Sequence, residues 1–272
     1  MLIEDKEMLR EQPIGLPVVF KPMIFAIASQ KGGVGKTSST INLAAGLARK
    51  GKQVLLIDID FQANSSKVLL ENYQKIPKEQ TLYATILGRE ALTIHPSGIA
   101  NLAIVPSHIL LSNTDVELTT AIDHREERLK RELEAVKNNY DFIFIDCPPA
   151  LSWLTVNAFT ASDQVIVVVS PGYFELDSIV QISRTISEVR QHFNARLQLA
   201  GFLYTMADPT VNSKTSLQIL RQTYTDSVLH TIIPRNTDLR DAHYQHKDIF
   251  SYSPKSAAAL AYDKLIRELF NL

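Results

Sequence analysis

Residues 23–60 read MIFAIASQKGGVGKTSSTINLAAGLARKGKQVLLIDID, and their reading decides the fold. Met23 to Ala28 is an apolar run with the length of a buried strand. It breaks at Ser29-Gln30-Lys31-Gly32-Gly33-Val34-Gly35-Lys36-Thr37 and restarts with Ile41, Leu43, Ala44, Leu47 and Ala48 apolar at helical spacing. Gly51 stops that helix, and Val54 to Ile57 forms a second buried strand ending at Asp58 and Asp60. Strand, glycine loop, helix and strand make a βαβ unit with a phosphate loop at its first turn. Glycines let backbone N–H groups approach a polyphosphate, and the helix N-terminus adds partial positive charge. Gly32, Gly33, Val34, Gly35 and Ser38 are then nucleotide-loop residues. Lys36 reaches the β/γ oxygens, and the Thr37 hydroxyl can ligate Mg2+.

Carboxylates follow where such a loop needs them. Asp58 and Asp60 stand at i and i+2 on an extended strand end, so both point the same way, towards the loop. One can hold Mg2+ through water while the other orients an attacking water. Tyr140 to Ile145 is a continuous apolar strand ending at Asp146, the shape of a Walker B motif. Asp146 is placed at the carboxyl edge, where α/β sheets bind ligands, and can support the metal. Cys147 has neither a second cysteine nor a local histidine beside it and reads as a packing residue. His243 and His246 lack a third ligand and read as solvated.

Composition narrows the class. A chain of 272 residues, 45% apolar, suits one large α/β domain: residues 23–272, preceded by a mixed 1–22 extension. One cysteine excludes an intramolecular disulfide framework and fits a reducing cytoplasm. No apolar run reaches a membrane span, and the polar start is no signal peptide. Net charge is −1, but residues 184–272 carry 11 basic against 8 acidic side chains, which permits a basic face there.

Beyond the loop the expected elements are a short helix near 81–87, a turn at His95–Gly98 and a strand at Asn101–Val105. A long helix over 112–138 follows, with one face charged (Asp123, Arg125, Glu126, Glu127, Lys130, Arg131). That face is either solvated or an interface. Then come a strand at Gln164–Val169, a helix at Glu175–Phe193, a strand at Leu197–Leu203, a helix around 214–224 and a strand at Val228–Ile233. Helices from about 238 and over Ser256–Phe270 close the chain. Alternating strands and helices without hairpin signals predict an α/β fold: a mostly parallel twisted sheet with helices on both faces.

The loop departs from G-x-x-x-x-G-K-S/T, because Gln30 stands at the first glycine position and Lys31 directly precedes Gly32. It resembles the deviant Walker A motif, K-G-G-x-G-K-S/T, of the ParA/MinD ATPases, a deviant branch of the P-loop NTPases. Asp58-Ile59-Asp60-Phe61-Gln62-Ala63-Asn64 resembles that family's D-x-D-P-Q-x-N segment, with Phe61 replacing the proline, and Asp146-Cys147-Pro148-Pro149 resembles D-x-P-P. Thr205-Met206, Pro234-Arg235-Asn236 and Tyr252-x-Pro254-x-Ser256 look like the ParA (Soj-like) branch, so the resemblance runs from about residue 23 onward.

The resemblance implies a cytoplasmic, nucleoid-associated ATPase using ATP and Mg2+ to position or segregate a plasmid, chromosome or protein assembly. Asp60 would position water and Asp58 would stand on the metal side. Lys31 would reach across a nucleotide-sandwiched homodimer, and Met206, Pro234 and Asn236 would border the adenine. A ParB-like or other small adaptor would activate hydrolysis, and nonspecific DNA would meet Lys214, Arg221, Arg235, Arg240, Lys247 and Lys255. The 1–22 extension is too short for a helix-turn-helix domain. A single cysteine excludes the nitrogenase iron protein and the paired-cysteine zinc ATPases, and the tyrosines are too dispersed for a bacterial tyrosine kinase. A MinD-like membrane-associated ATPase is the alternative, and a metabolic ligase such as dethiobiotin synthetase a further one. Asp263 and Glu268 within the last helix set it against a stable membrane anchor, and Lys31 with D-x-D-x-Q argues against the ligase.

Overall fold

A computed structural model describes residues 22–120, 124–172 and 175–272, with the side chains of 175–177 outside that description. The 1–22 extension, apart from Pro22, and the charged-face residue Asp123 therefore lie outside the described residues.

Seven strands form one sheet in the order β3-β4-β2-β5-β1-β6-β7. They are β1 (Met23–Ala28), β2 (Val54–Asp58), β3 (His95–Pro96), β4 (Leu102–Val105), β5 (Phe142–Asp146), β6 (Gln164–Val169) and β7 (Gln198–Tyr204). All neighbours are parallel except β3 and β4. The expected α/β architecture is the one observed. The β1, β2 and β5 runs are almost wholly apolar because both of their faces are covered. Their carboxyl ends lie level, with Ile27 paired to Asp146 and Asp58 paired to Asp146.

One face is covered by α1 (Lys36–Arg49) and α11 (Ala257–Phe270), which bring Ile41, Leu43, Leu47, Tyr262, Leu265 and Ile266 into a single core. The two helices approach closely at Gly46, where a Cβ would fall 2.2 Å from Ile266 Cδ1 and 3.0 Å from Phe250 Cε2. The Ile249 N–H donates to Asn42 Oδ1 at 2.8 Å and ties α10 (Ile249–Tyr252) to α1. The opposite face carries α5 (Arg128–Glu134), α6 (Trp153–Ala161) and α7 (Glu175–His192), packed through Leu129, Leu133, Phe159, Ile179 and Ile182. Each such side chain, fully buried, contributes roughly 1.5–3 kcal/mol. No helix among the described residues is long and apolar enough to cross a membrane.

Three expectations change. The long helix over 112–138 is instead a 3-10 segment Ile109–Asn113, α4 (Thr114–Thr120), a turn with His124 at φ 35°, and α5. Leu129 and Leu133 do face inward, but the run is broken. His95–Gly98 is not only a turn: His95 and Pro96 pair antiparallel with Ile104 and Ala103 at the sheet edge. Pro96 is tolerated there because an edge residue needs no second ladder partner. Val228–Ile233 is not a ladder strand. It meets β7 at both ends, where Leu229 N–H donates to Phe202 O at 3.1 Å and Ile233 N–H to Tyr204 O at 2.9 Å, while its His230 and Thr231 N–H groups donate to the Glu268 carboxylate at 2.6 and 2.8 Å. Short α2 (Asn64–Leu69) and α3 (Leu82–Ile86) complete this part, and α8 (Val211–Tyr224) starts three residues before its expected position.

Candidate nucleotide site

The loop after β1 is shaped by its glycines. Gly33 and Gly35 have φ of 73° and 92°, values that L side chains rarely adopt, and nothing lies within 4 Å of a Cβ built on Gly32 or Gly33. Space is thus kept open along the backbone. Gly35 precedes the first turn of α1, and Thr37 and Ser38 lie in that turn. Lys36 is buried, and its Nζ donates to the Lys31 carbonyl at 3.0 Å. Burial lowers its pKa, while the nearby Asp146 and Asp60 carboxylates act in the opposite sense. The Lys31 side chain is exposed at the loop crest.

Beneath the loop lie Asp58 and Asp146, fully buried on adjacent strand ends, with Asp60 barely exposed beside them. Burial pushes Asp146 up to about 6 against the hydrogen bonds of Ser65 and Thr37. Burial, then the neighbouring Asp146, holds Asp58 well above the usual carboxylate range. Burial raises Asp60 as well. Two carboxylates this close resist joint ionisation unless a cation or donors compensate. The donors are hydroxyls: Ser65 Oγ to Asp146 Oδ2 at 2.7 Å, Thr40 Oγ1 to Asp146 Oδ1 at 3.3 Å, and Ser66 Oγ to Asp58 Oδ2 at 2.7 Å. Sequence reasoning missed Ser65, Ser66 and Thr40. The serine doublet Ser65-Ser66, separated from the end of the D-x-D-x-Q stretch by two residues, was the available signal. A hydroxyl from Thr37 and two buried carboxylates form an all-oxygen set, which suits Mg2+ completed by phosphate and water. Cys147 is buried in the core with its thiol pKa raised by burial, as a packing residue should be.

The other end of the cleft is made from backbone. Thr205 Oγ1 donates to the Val34 carbonyl of the loop at 2.6 Å. Met206 adopts φ 52°, Ala207 N–H donates to Ile233 O at 3.1 Å, and Arg235 N–H donates to Ala207 O at 2.8 Å. The structure thereby brings the Met206 and Pro234–Asn236 segments together. Asn236 caps α9 (Thr237–Tyr244), its Oδ1 accepting the Asp238 N–H at 2.7 Å. The six basic candidates are all exposed but spread: Lys214 and Arg221 on α8, Arg235 before α9, Arg240 on it, Lys247 and Lys255 in the turns flanking α10.

A glycine loop between β1 and α1, with aspartates on the neighbouring strand ends, defines the class of P-loop nucleotide-binding α/β proteins. Residues 22–199 match the AAA domain family. The chain is 41% identical over 251 residues to the sporulation initiation inhibitor protein Soj of Bacillus subtilis, covering 90% of this chain and 97% of that one. It is 38% identical to the chromosome partitioning protein ParA of Caulobacter vibrioides, covering 91% and 94%. Among solved structures, a plasmid partition protein from Borrelia burgdorferi superposes with a TM-score of 0.70 at 30% identity, covering 85% and 97%. Cobyrinic acid a,c-diamide synthase from Mycobacterium smegmatis, with bound ADP and magnesium, gives 0.78 at 31%, covering 90% and 92%. The chain belongs to the Soj/ParA family of partitioning ATPases.

Proposed function

We propose that this chain is a ParA-type ATPase that binds Mg-ATP, dimerises around it, holds nonspecific DNA in that state, and is reset by hydrolysis when a small adaptor engages it. The reading rests on one observation above the others: Lys36, Asp58, Asp60 and Asp146 converge, buried, beneath a loop whose crest exposes a second lysine, Lys31. Lys36 and the loop N–H groups bind phosphate oxygens, Thr37 with Asp58 and Asp146 would hold Mg2+, and Asp60 orients the attacking water. Mg2+ supplies charge neutralisation on the phosphates when bound. Such chemistry is mostly positioning. Lys31, exposed in the loop, would reach the phosphates of a facing subunit, which makes the dimer a state selected by one phosphate.

The exposed bases on α8, α9 and their flanking turns would give each subunit a weak cationic patch, and two patches on one rigid dimer act together. Residues 23–272 are proposed to act as a single domain, in the cytoplasm and on the nucleoid. The relatives named for partitioning favour this over a ligase, and α11 supports it over a membrane-bound ATPase. Its apolar residues Tyr262, Leu265 and Ile266 are already buried in the core.

The test uses Asp60→Ala, which should bind ATP but turn it over slowly. Light scattering should show monomer without nucleotide and dimer with Mg-ATP, and Lys31→Ala in that background should weaken the dimer. A fluorescent duplex of arbitrary sequence should bind with Mg-ATP only, and the affinity should fall steeply as salt rises. Equal dimerisation without nucleotide would remove Lys31 from the switch. ATP-dependent sedimentation with anionic liposomes, with no DNA binding in any state, would favour the membrane-bound alternative.

A further inference from the structure

Four buried residues, two of them the aspartates Asp58 and Asp60, close into a ring. Asp60 N–H donates to Asp58 Oδ1 at 3.2 Å. The Ser66 N–H and Oγ both donate to Asp58 Oδ2, at 2.8 and 2.7 Å. The Ser107 N–H donates to Ser66 Oγ at 2.9 Å, and Ser107 Oγ donates to the Asp60 carbonyl at 2.6 Å. Asp58, Ser66 and Ser107 are fully buried, and Asp60 is 5% exposed. The ring joins three segments: the end of β2, the first turn of α2, and the residues following β4. Tyr73 Oη fastens the same point from outside by donating to the Ser107 carbonyl at 3.2 Å.

A helix turn and a strand end need no such ring merely to meet, because α2 already buries Val68 and Leu69 against the core. What the ring adds is control of two particular groups. Ser66 fixes the Asp58 carboxylate, and Ser107 fixes the backbone from which the Asp60 carboxylate projects. Hydroxyls are suited to this because each can accept one bond while donating another, so Ser66 receives from Ser107 and passes a proton donor on to Asp58. In a buried site a half-made network is costly, so the ring is either closed or the segment rearranges.

We propose that Ser66 and Ser107 form a clasp that positions Asp58 and Asp60 for turnover, acting through those aspartates without touching the nucleotide. The proposal rests on the ATPase reading given above. Outer partners of metal-site carboxylates matter at the level of roughly 10- to 100-fold.

The experiment compares the parent chain with Ser66→Ala, Ser107→Ala and the double variant, all full length. Each single variant should lower kcat roughly 10- to 100-fold while the KM for ATP stays within about twofold. Half-saturating Mg2+ should rise for Ser66→Ala, whose lost bond is to Asp58, and not for Ser107→Ala. The double variant should fall no further than the weaker single one, because the ring opens once. Hydrogen exchange in the nucleotide-free protein gives a readout independent of activity: amides within 58–66 should exchange faster in both single variants while those of β1 and β5 keep the parent rate. Should Ser66→Ala fail to fold, Ser107→Ala carries the test through its kcat and its exchange pattern. Parent-like kcat, Mg2+ dependence and exchange in the variants would overturn the clasp alone. A parent chain that hydrolyses no Mg-ATP would overturn the ATPase reading with it.

Discussion

The two ends of the candidate nucleotide site are built from different materials. At the phosphate end, side chains do the shaping: Lys36, Asp58, Asp60 and Asp146 are pressed together and held by hydroxyls. At the other end, Thr205–Ala207 and Ile233–Asn236 are held chiefly by main-chain bonds and a helix cap. The first arrangement keeps like charges buried at a cost to stability, while the second satisfies its own groups locally. Chemistry and stability are therefore opposed at one end and aligned at the other, a division expected where a site needs strained electrostatics.

The sharpest way to break the comparison is Lys36→Ala. Removing the ammonium that acts on both Asp60 and Asp146 should abolish nucleotide binding, seen as loss of fluorescent ATP analogue binding at any practical concentration. Retained binding would mean that the buried charges are not the phosphate site.

Asp146→Asn tests the opposition directly. The folded-state pKa is raised to about 6, so between about pH 4 and 6 the folded chain holds a proton that the unfolded chain releases. Stability is then lost as pH rises through that window, and above it the nucleotide-free protein bears the full penalty, roughly 3 kcal/mol. Asn carries no charge, so the variant should be more stable than the parent at pH 7.5 by roughly 1–3 kcal/mol, the lower bound allowing for altered hydroxyl bonds. The gain should shrink as the pH is lowered from 6 towards 4, while ATP turnover is lost. Urea melts at several pH values measure it. A variant less stable than the parent at pH 7.5 would show that the hydroxyl donors outweigh the buried charge.

Asn236→Ala is the smallest probe. Loss of the α9 cap should cost about 1 kcal/mol of stability, read in the same melts, and, with Asn236 expected at the adenine border, should raise the KM for ATP more than it lowers kcat. A large loss of kcat would show that the backbone-built end also serves the chemistry.

Much of the phosphate end is legible in the sequence because its signals are local. Apolar runs of five or six residues end at a glycine loop or an aspartate, and β1, β2 and β6 fall where the pattern puts them. The serines were not legible. Nothing in the order of residues says that Ser107, 41 positions from Ser66, returns to it across β4 and β2. Between 112 and 138 helical periodicity runs on across the break, and no glycine or proline marks the turn at His124. Val228–Ile233 has strand composition, yet its central His230 and Thr231 N–H groups are claimed by Glu268 from α11, a partner 38 and 37 residues away that periodicity does not reveal. In the sequence that same glutamate speaks only against a membrane anchor in the last helix.

The close approach at Gly46 has a consequence in time. The helix that opens the nucleotide site is made early, but the surface covering its outer side, Ile266 with Phe250, is made more than 200 residues later. A ribosome-bound chain that has passed Asp146 already possesses every phosphate-end residue named above, yet Ile41, Leu43 and Leu47 still lack the Tyr262, Leu265 and Ile266 cover. During synthesis the helix behind the loop is thus apolar and bare on one side, and the site matures only when residues 257–270 emerge and close over it.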